Sequence, residues 1–194
     1  MKYGRLIPKD MADAYLHRLT NELEWVRRDT TPRQEYYTDL HDRPYTYGKG
    51  AGVRTYPSQP FHEAIGSIQL HVIAKLGMLG YPAAWTFEAV FLNRYINASE
   101  NLGWHADDSD ALDDARPIVI VSLGAEREIM FRPMGSSDPE YITRTRLEHG
   151  SICMMLPGMQ ETWQHRIPKS DRQCGERISL TFRGVHPPAE EPKP

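Results

Sequence analysis

Cysteine is scarce: Cys153 and Cys174 are the only two in 194 residues. Two thiols are too few for a disulfide-stapled scaffold or a thiolate metal cluster. No run approaches the roughly 18 uninterrupted apolar residues of a membrane-spanning helix. The segment Met1 to Asp10 has no apolar core behind a basic head, so it does not read as a secretory signal, and a reducing cytoplasm is the expected compartment. An excess of one charge is also missing, because 23 Lys and Arg face 26 Asp and Glu, a formal −3. A nucleic-acid partner would therefore not be gripped by bulk charge. What remains is ordinary: 40% hydrophobic and 25% charged residues exclude the disordered and collagen-like classes. The length suits one domain with a sizeable core.

Two helices are expected first. One spans Met11 to Arg28, capped by Asp10, with Tyr15, Leu19, Leu23 and Val26 on one stripe. The other spans Pro60 to Leu79, with Phe61, Ile65, Ile68, Val72 and Leu76 on one face, and Gly80 and Pro82 ending it. Between them, Thr30 to Gln59 is rich in Tyr, Gly, Pro and charge and has no clear period. A stretch that long inside a compact domain is usually functional or disordered, and its tyrosines favour a lid. After Pro82 come short runs rich in β-branched and aromatic residues. They are Trp85–Tyr95, Pro117–Gly124, Glu128–Arg132, Tyr141–Leu147, Ser151–Leu156 and Glu176–Arg183, separated by Gly, Pro and Asp turns. Two helices followed by many antiparallel strands point to a sandwich or barrel with the helices on one face. The expected domain runs over 1–184, with a lid at about 30–59, a core at about 85–184 and a proline-rich tail at 185–194.

The triplet His105-Ala106-Asp107 is no more than chance provides from eight histidines and 26 acids. On a strand, however, residues i and i+2 share a side, so this pair can meet one ion. With one distant histidine it becomes a two-His, one-carboxylate facial set that leaves positions open on Fe(II). Two surface residues after Gly103 are the competing reading. The last strand alternates Ile178, Leu180 and Phe182 with Arg177, Ser179, Thr181 and Arg183. Its polar side is either solvated or, because guanidinium forks bind carboxylates bidentately, a cradle for a dicarboxylic acid. On Trp85–Tyr95 the residues Phe87, Ala89, Phe91, Asn93 and Tyr95 share a face, so an apolar row ends in an amide and a phenol. His17, His41, His62, His71 and His186 read as ordinary solvated or core histidines, Trp104 and Trp163 as packing, and Met154, Met155 and Met159 as core filler.

Taken in order, Asn93-Arg94-Tyr95, Gly103 to Asp108, Pro117 to Gly124, Leu147 to Gly150, Gln164 to Ile167 and Arg177 to Arg183 resemble the AlkB family of Fe(II)- and 2-oxoglutarate-dependent dioxygenases. The resemblance implies an α+β fold: a double-stranded β-helix, or jelly roll, with N-terminal helices packed on one face and a nucleotide-recognition lid. It implies that His105, Asp107 and His165 bind Fe(II), with His149, before a Gly-Ser turn, the rival third ligand. It assigns Asn93, Tyr95, Arg177 and Arg183 to 2-oxoglutarate, Arg177 to the distal carboxylate. Ser179 stands where the family often has Asn and reaches less far. No catalytic group beyond the metal ligands is implied, and dioxygen is the remaining co-substrate.

The stretch Arg43-Pro44-Tyr45-Thr46-Tyr47-Gly48 resembles the family's nucleotide-recognition segment. Arg43, Tyr45 and Tyr47 are therefore expected at the substrate, with Tyr37 or Tyr56 as a further stacking partner. Asp108 is a further substrate candidate, because Ser109 holds the position where relatives often carry an acid. The activity implied is demethylation of N-alkylated bases of the 1-methyladenine or 3-methylcytosine type. The substrate would be single-stranded or flipped-base DNA or RNA, and the products formaldehyde, succinate and CO2. A monomer with no membrane partner is expected. The alternatives are a hydroxylase of a nucleobase carbon or protein side chain, and a non-oxidative metal-binding β-barrel.

Overall fold

A computed structural model of the chain describes residues 1–47, 53–82 and 84–186. The middle of the expected lid, 48–52, and the tail from 187 onward lie outside the described residues. The chain opens with β1 (Lys2–Arg5), α1 (Lys9–Glu22), β2 (Val26–Arg27), β3 (Gln34–Asp39), β4 (Tyr45–Tyr47), β5 (Arg54–Tyr56) and α2 (Glu63–Met78). Then follow β6 (Ala89–Tyr95), β7 (Leu102–His105), β8 (Ile118–Gly124), β9 (Arg127–Pro133), β10 (Thr143–Leu147) and β11 (Ser151–Met155). A short α3 (Met159–Thr162), β12 (Trp163–Ile167) and β13 (Arg177–Arg183) complete it.

The strands form a seven-stranded sheet in the order β1-β11-β8-β13-β6-β3-β2, a four-stranded sheet β10-β9-β12-β7, and the hairpin β4-β5. One apolar cluster lies between the large sheet and the helices. There Ile178, Leu180 and Phe182 meet Leu19 of α1 and Ile65, Ile68 and Val72 of α2. A second cluster lies between the sheets, joining Phe91, Tyr95, Ile118 and Ile120 to Ile129, Phe131, Leu147 and Ile167. The fold is the jelly roll with helices on one face that the resemblance implied. Burying each Ile, Leu or Phe side chain is worth about 1.5–3 kcal/mol. A one-residue slip of β13 would send that trio inward and two arginines under the helices. Its register is therefore fixed, and Arg177, Ser179, Thr181 and Arg183 must face the space between the sheets. All four are buried, so the half-exposed reading of this strand does not hold.

Local expectations shift at several points. The first helix starts at Lys9 behind Pro8, which makes no side-chain cap bond, and Asp10 lies inside the first turn instead of capping. It stops at Glu22 because Leu23 turns extended, and Val26 and Arg27 pair with Glu35 and Gln34 of β3. The second helix is shorter than 60–79, because His62 is its cap and accepts from the Ala64 N–H. Phe87 precedes β6 and joins the helix-side cluster, not the face of Phe91 and Asn93. The largest difference is β3, which falls in the expected lid yet pairs with β6 inside the main sheet. Five of its six residues are buried, so both faces are covered and no alternation could announce it.

One turn bears directly on the site. Gly124 ends β8 at φ +88, and an added Cβ would overlap the Glu176 carbonyl oxygen, which accepts the Ala125 N–H at 2.7 Å. Gly124→Ala is expected to destabilise the chain by more than about 2 kcal/mol. A lowered midpoint in urea unfolding, with unchanged slope, would show it.

Candidate metal and cofactor site

The two histidines meet because of strand pairing. His105 on β7 and His165 on β12 are direct antiparallel partners, and their ring centroids lie 4.1 Å apart. Asp107 follows β7 and turns back towards them. Ligand atoms of His105, Asp107 and His165 all lie within 4.8 Å of one another. The His105 Nδ1–H donates to the Gly103 carbonyl at 2.9 Å, which leaves Nε2 with its lone pair towards the centre. The Asp107 backbone N–H donates to Gln160 Oε1 at 2.9 Å, and its Oδ1 accepts from Arg183 Nη2 at 2.7 Å. His149 is elsewhere: its Nδ1 accepts the Gly124 N–H at 2.7 Å and its Nε2 faces Asp13 at 3.1 Å. It is no rival.

Burial and charge set the protonation of this group. Burial lowers His105 against the pull of Asp107. Burial, then the positive character of His105, lowers His165 to about 3. At Asp107 burial works against ionisation, but Arg183 and the two imidazoles outweigh it and hold the carboxyl below its usual range. Two neutral imidazoles and one carboxylate, with Asp107 Oδ2 buried and without a partner among the described residues, are the donor set an Fe(II) ion takes. This set fits the metal.

The adjoining floor fits a carboxylate. Arg177 is fully buried, and its Nε donates to Ser122 Oγ at 2.9 Å. Both its Nη atoms and the Tyr95 hydroxyl find no partner among the described residues. Burial lowers this guanidinium to about 10, still charged at neutral pH. A buried cation lacking a counter-ion awaits an anion. Arg177 is opposite Tyr95 and Ser179 opposite Asn93 across β13 and β6, so all four border one space. Arg183 enters from the other end of β13, roughly 20 Å along the strand, with Nε and Nη1 unpartnered among the described residues. The oxygen-rich ends of 2-oxoglutarate match these donors.

A cleft of about 260 Å³ opens over His105, Asp107 and Arg183, walled by Arg33, Tyr47, Arg54, Tyr56 and Asn93. Of the residues expected at the substrate, Tyr47 and Tyr56 line it. Tyr45 does not. It is 5% exposed, stacked 5.5 Å from Tyr37, with the Arg183 guanidinium 5.2 Å from its ring centre. Tyr37, Arg43 and Tyr45 instead border a separate cavity of about 240 Å³ with Leu112 and His186. Arg43 is held by both Asp39 oxygens at 3.0 Å and donates to the His186 carbonyl. Asp108 is exposed and is not part of the cleft wall. A larger cavity, about 380 Å³, lies between Glu126–Glu128 and the 168–174 loop and contains none of the three ligands.

Several residues here escaped the sequence. Arg33 Nε donates to Asn93 Oδ1 at 2.5 Å, while its Nη2 donates to Glu35 Oε1 at 2.7 Å. Arginine only donates, so the Asn93 amide oxygen is engaged and its NH2 is the group left to donate to a ligand oxygen. Ser122 Oγ and Gln160 Oε1 hold their partners by accepting, from Arg177 Nε and from the Asp107 N–H. Only Ser122, a hydroxyl inside an apolar strand, carried a readable signal.

Comparison with known proteins shows the family. The family model described as the 2OG-Fe(II) oxygenase superfamily matches residues 8–183. DNA oxidative demethylase ALKBH2 of Mus musculus is 36% identical over 95% of this chain and 80% of its own length. Alpha-ketoglutarate-dependent dioxygenase alkB homolog 3 of Homo sapiens is 29% identical over 95% of this chain. The chain spans slightly less than two thirds, 65%, of that relative. The solved structure of OsALKBH1 superposes with a TM-score of 0.63 at 17% identity, covering 94% of this chain and 96% of that one, a likeness of fold. Motifs, donor set and matches converge: the chain belongs to the AlkB family of 2-oxoglutarate- and Fe(II)-dependent dioxygenases.

Proposed function

We propose that this protein removes methyl groups from ring nitrogens of nucleobases in nucleic acid. The observation that carries the proposal is the cleft over His105 and Asp107, flanked by Tyr47 and Tyr56 and edged by Arg33 and Arg54. Two aromatic rings and the Arg54 guanidinium around a metal set suit a flat base with a phosphate near it. The name of the mouse relative, a DNA oxidative demethylase, points the same way. A duplex base cannot reach buried ligands, so the substrate is single-stranded or flipped out.

His105, Asp107 and His165 would hold Fe(II), while Arg177, Tyr95 and Asn93 would hold 2-oxoglutarate, with Ser179 beside them. When bound, these two groups and dioxygen supply an oxidant that hydroxylates a C–H bond, 2-oxoglutarate leaving as succinate and CO2. The protein's own part is positional. Arg183 keeps Asp107 ionised and turned towards the histidines, and Gly103 fixes the His105 tautomer. Arg33 aims the Asn93 amide, and Tyr45, its ring against the Arg183 guanidinium, keeps Arg183 dry. A methyl on nitrogen, once hydroxylated, collapses to formaldehyde and the free base, whereas a methyl on carbon retains the oxygen.

The chain with Fe(II), 2-oxoglutarate and a panel of N-methylated single-stranded DNA and RNA oligonucleotides is expected to release formaldehyde and succinate in equal amounts. Mass spectrometry should record the loss of 14 Da from at least one base, the mass of one CH2. Succinate accompanied by a stable gain of oxygen would replace demethylation by hydroxylation.

A further inference from the structure

Strand alternation that turns His105 inward turns its neighbour Trp104 to the outer face of the four-stranded sheet. There the guanidiniums of Arg132 and Arg166 both lie over the indole, 4.4 and 4.6 Å from its centre. Arg132 and Arg166 reach this position from adjacent strands: Gln164 pairs with Arg132, and Arg166 with Met130. Their other contacts are neutral. Arg132 donates to Gln164 Oε1 at 2.8 and 3.1 Å, and Arg166 to Met130 Sδ at 3.3 Å. Among the described residues neither has a carboxylate partner. Arg144 and Arg146 continue this face on β10, opposite Met130 and Glu128, each with one exposed acid beside it. In a chain with a formal charge of −3, two such guanidiniums gathered on one indole are a local exception.

Place gives the cluster its meaning. Trp104 also borders the cleft that opens on His105 and Asp107, so the cluster begins where the cleft ends. A strand whose base occupied that cleft would carry its next phosphates onto this face. Guanidiniums already stacked on an indole lose little freedom on meeting a phosphate, and their forks match its oxygens. We infer that the outer face of the four-stranded sheet at Trp104, Arg132 and Arg166 is the docking track for single-stranded nucleic acid flanking the target base. Arg132 and Arg166 take backbone phosphates there. This rests on the nucleic-acid reading of the cleft.

The test is fluorescence anisotropy of a labelled single-stranded 12-mer carrying one N-methylated base, with the full chain loaded with Mn(II) and 2-oxoglutarate. The Arg132→Gln/Arg166→Gln variant is expected to bind at least 10-fold more weakly. Its plot of log affinity against log salt should be shallower by about 1.4, the release expected for two single-strand phosphates. Its kcat at saturating oligonucleotide should be unchanged while KM rises. An unaltered thermal shift with Mn(II) confirms that the variant is folded. Wild-type binding with identical affinity and slope in the variant would overturn the track and leave the demethylase intact. Failure of the wild type to bind any oligonucleotide would overturn both, and would leave this face to a partner of another kind.

Discussion

His165→Ala should abolish 2-oxoglutarate turnover and weaken divalent-metal binding by more than about 100-fold, since even groups that merely orient a ligand are worth about 10–100-fold. The replacement removes one of three donors whose atoms lie within 4.8 Å of each other. His105 and Asp107 remain, but two donors no longer define a face of the coordination sphere. Mn(II) should raise the melting temperature of the wild type in proportion to ln(1 + [metal]/Kd) and leave the variant unmoved. His149→Ala is the informative control, because His149 accepts the Gly124 N–H and faces Asp13. It should keep the metal response while losing about 1 kcal/mol of stability. Turnover retained by His165→Ala, or metal binding lost in His149→Ala, would remove the basis for the assignment.

Arg177→Met should move stability and function in opposite directions. The side chain is fully buried, donates to Ser122, and among the described residues leaves both Nη atoms without partners. A buried charge lacking its counter-ion is a cost to the free protein, and apolar replacement of buried ionic groups is often stabilising by about 1–4 kcal/mol. At about 2–4 °C per kcal/mol for a chain of this size, the ligand-free variant should melt higher. Affinity for 2-oxoglutarate should fall by 2–5 kcal/mol, roughly 30- to 5,000-fold, the usual loss when one partner of a buried charge pair is removed. Calorimetric unfolding and 2-oxoglutarate titration on one preparation suffice. A variant that melts lower and binds normally would mean that Arg177 serves packing alone.

Some of this was legible because its signal is local. The alternation of Ile178, Leu180 and Phe182 with Arg177, Ser179 and Arg183 told which side of the strand meets the helices, since side-chain direction on a strand follows from sequence alone. Asn93 and Tyr95 shared a face for the same reason. The tyrosines were different. Tyr45 and Tyr47 are two apart in sequence and carry one expected role, yet Tyr45 is packed under Arg183 and of the two only Tyr47 reaches the cleft. Whether a ring becomes wall or floor depends on what is placed above it, and that is decided by how the β4–β5 hairpin seats on the sheet. Strand β3 was hidden because covering both faces erases the alternation on which its recognition depends.

The sequence by itself determined which residues of the last strand share a side, the two-layer preference of its apolar residues and the identity of the family, because each is written in short-range order. Only the tertiary structure decided that β7 and β12 are neighbours, and with that the convergence of His105, Asp107 and His165. It also placed Arg33 on Asn93 and, among the described residues, left both Arg177 Nη atoms without a protein partner. Contacts between residues dozens of positions apart depend on which strands pair, and pairing is settled by burial of the whole sandwich.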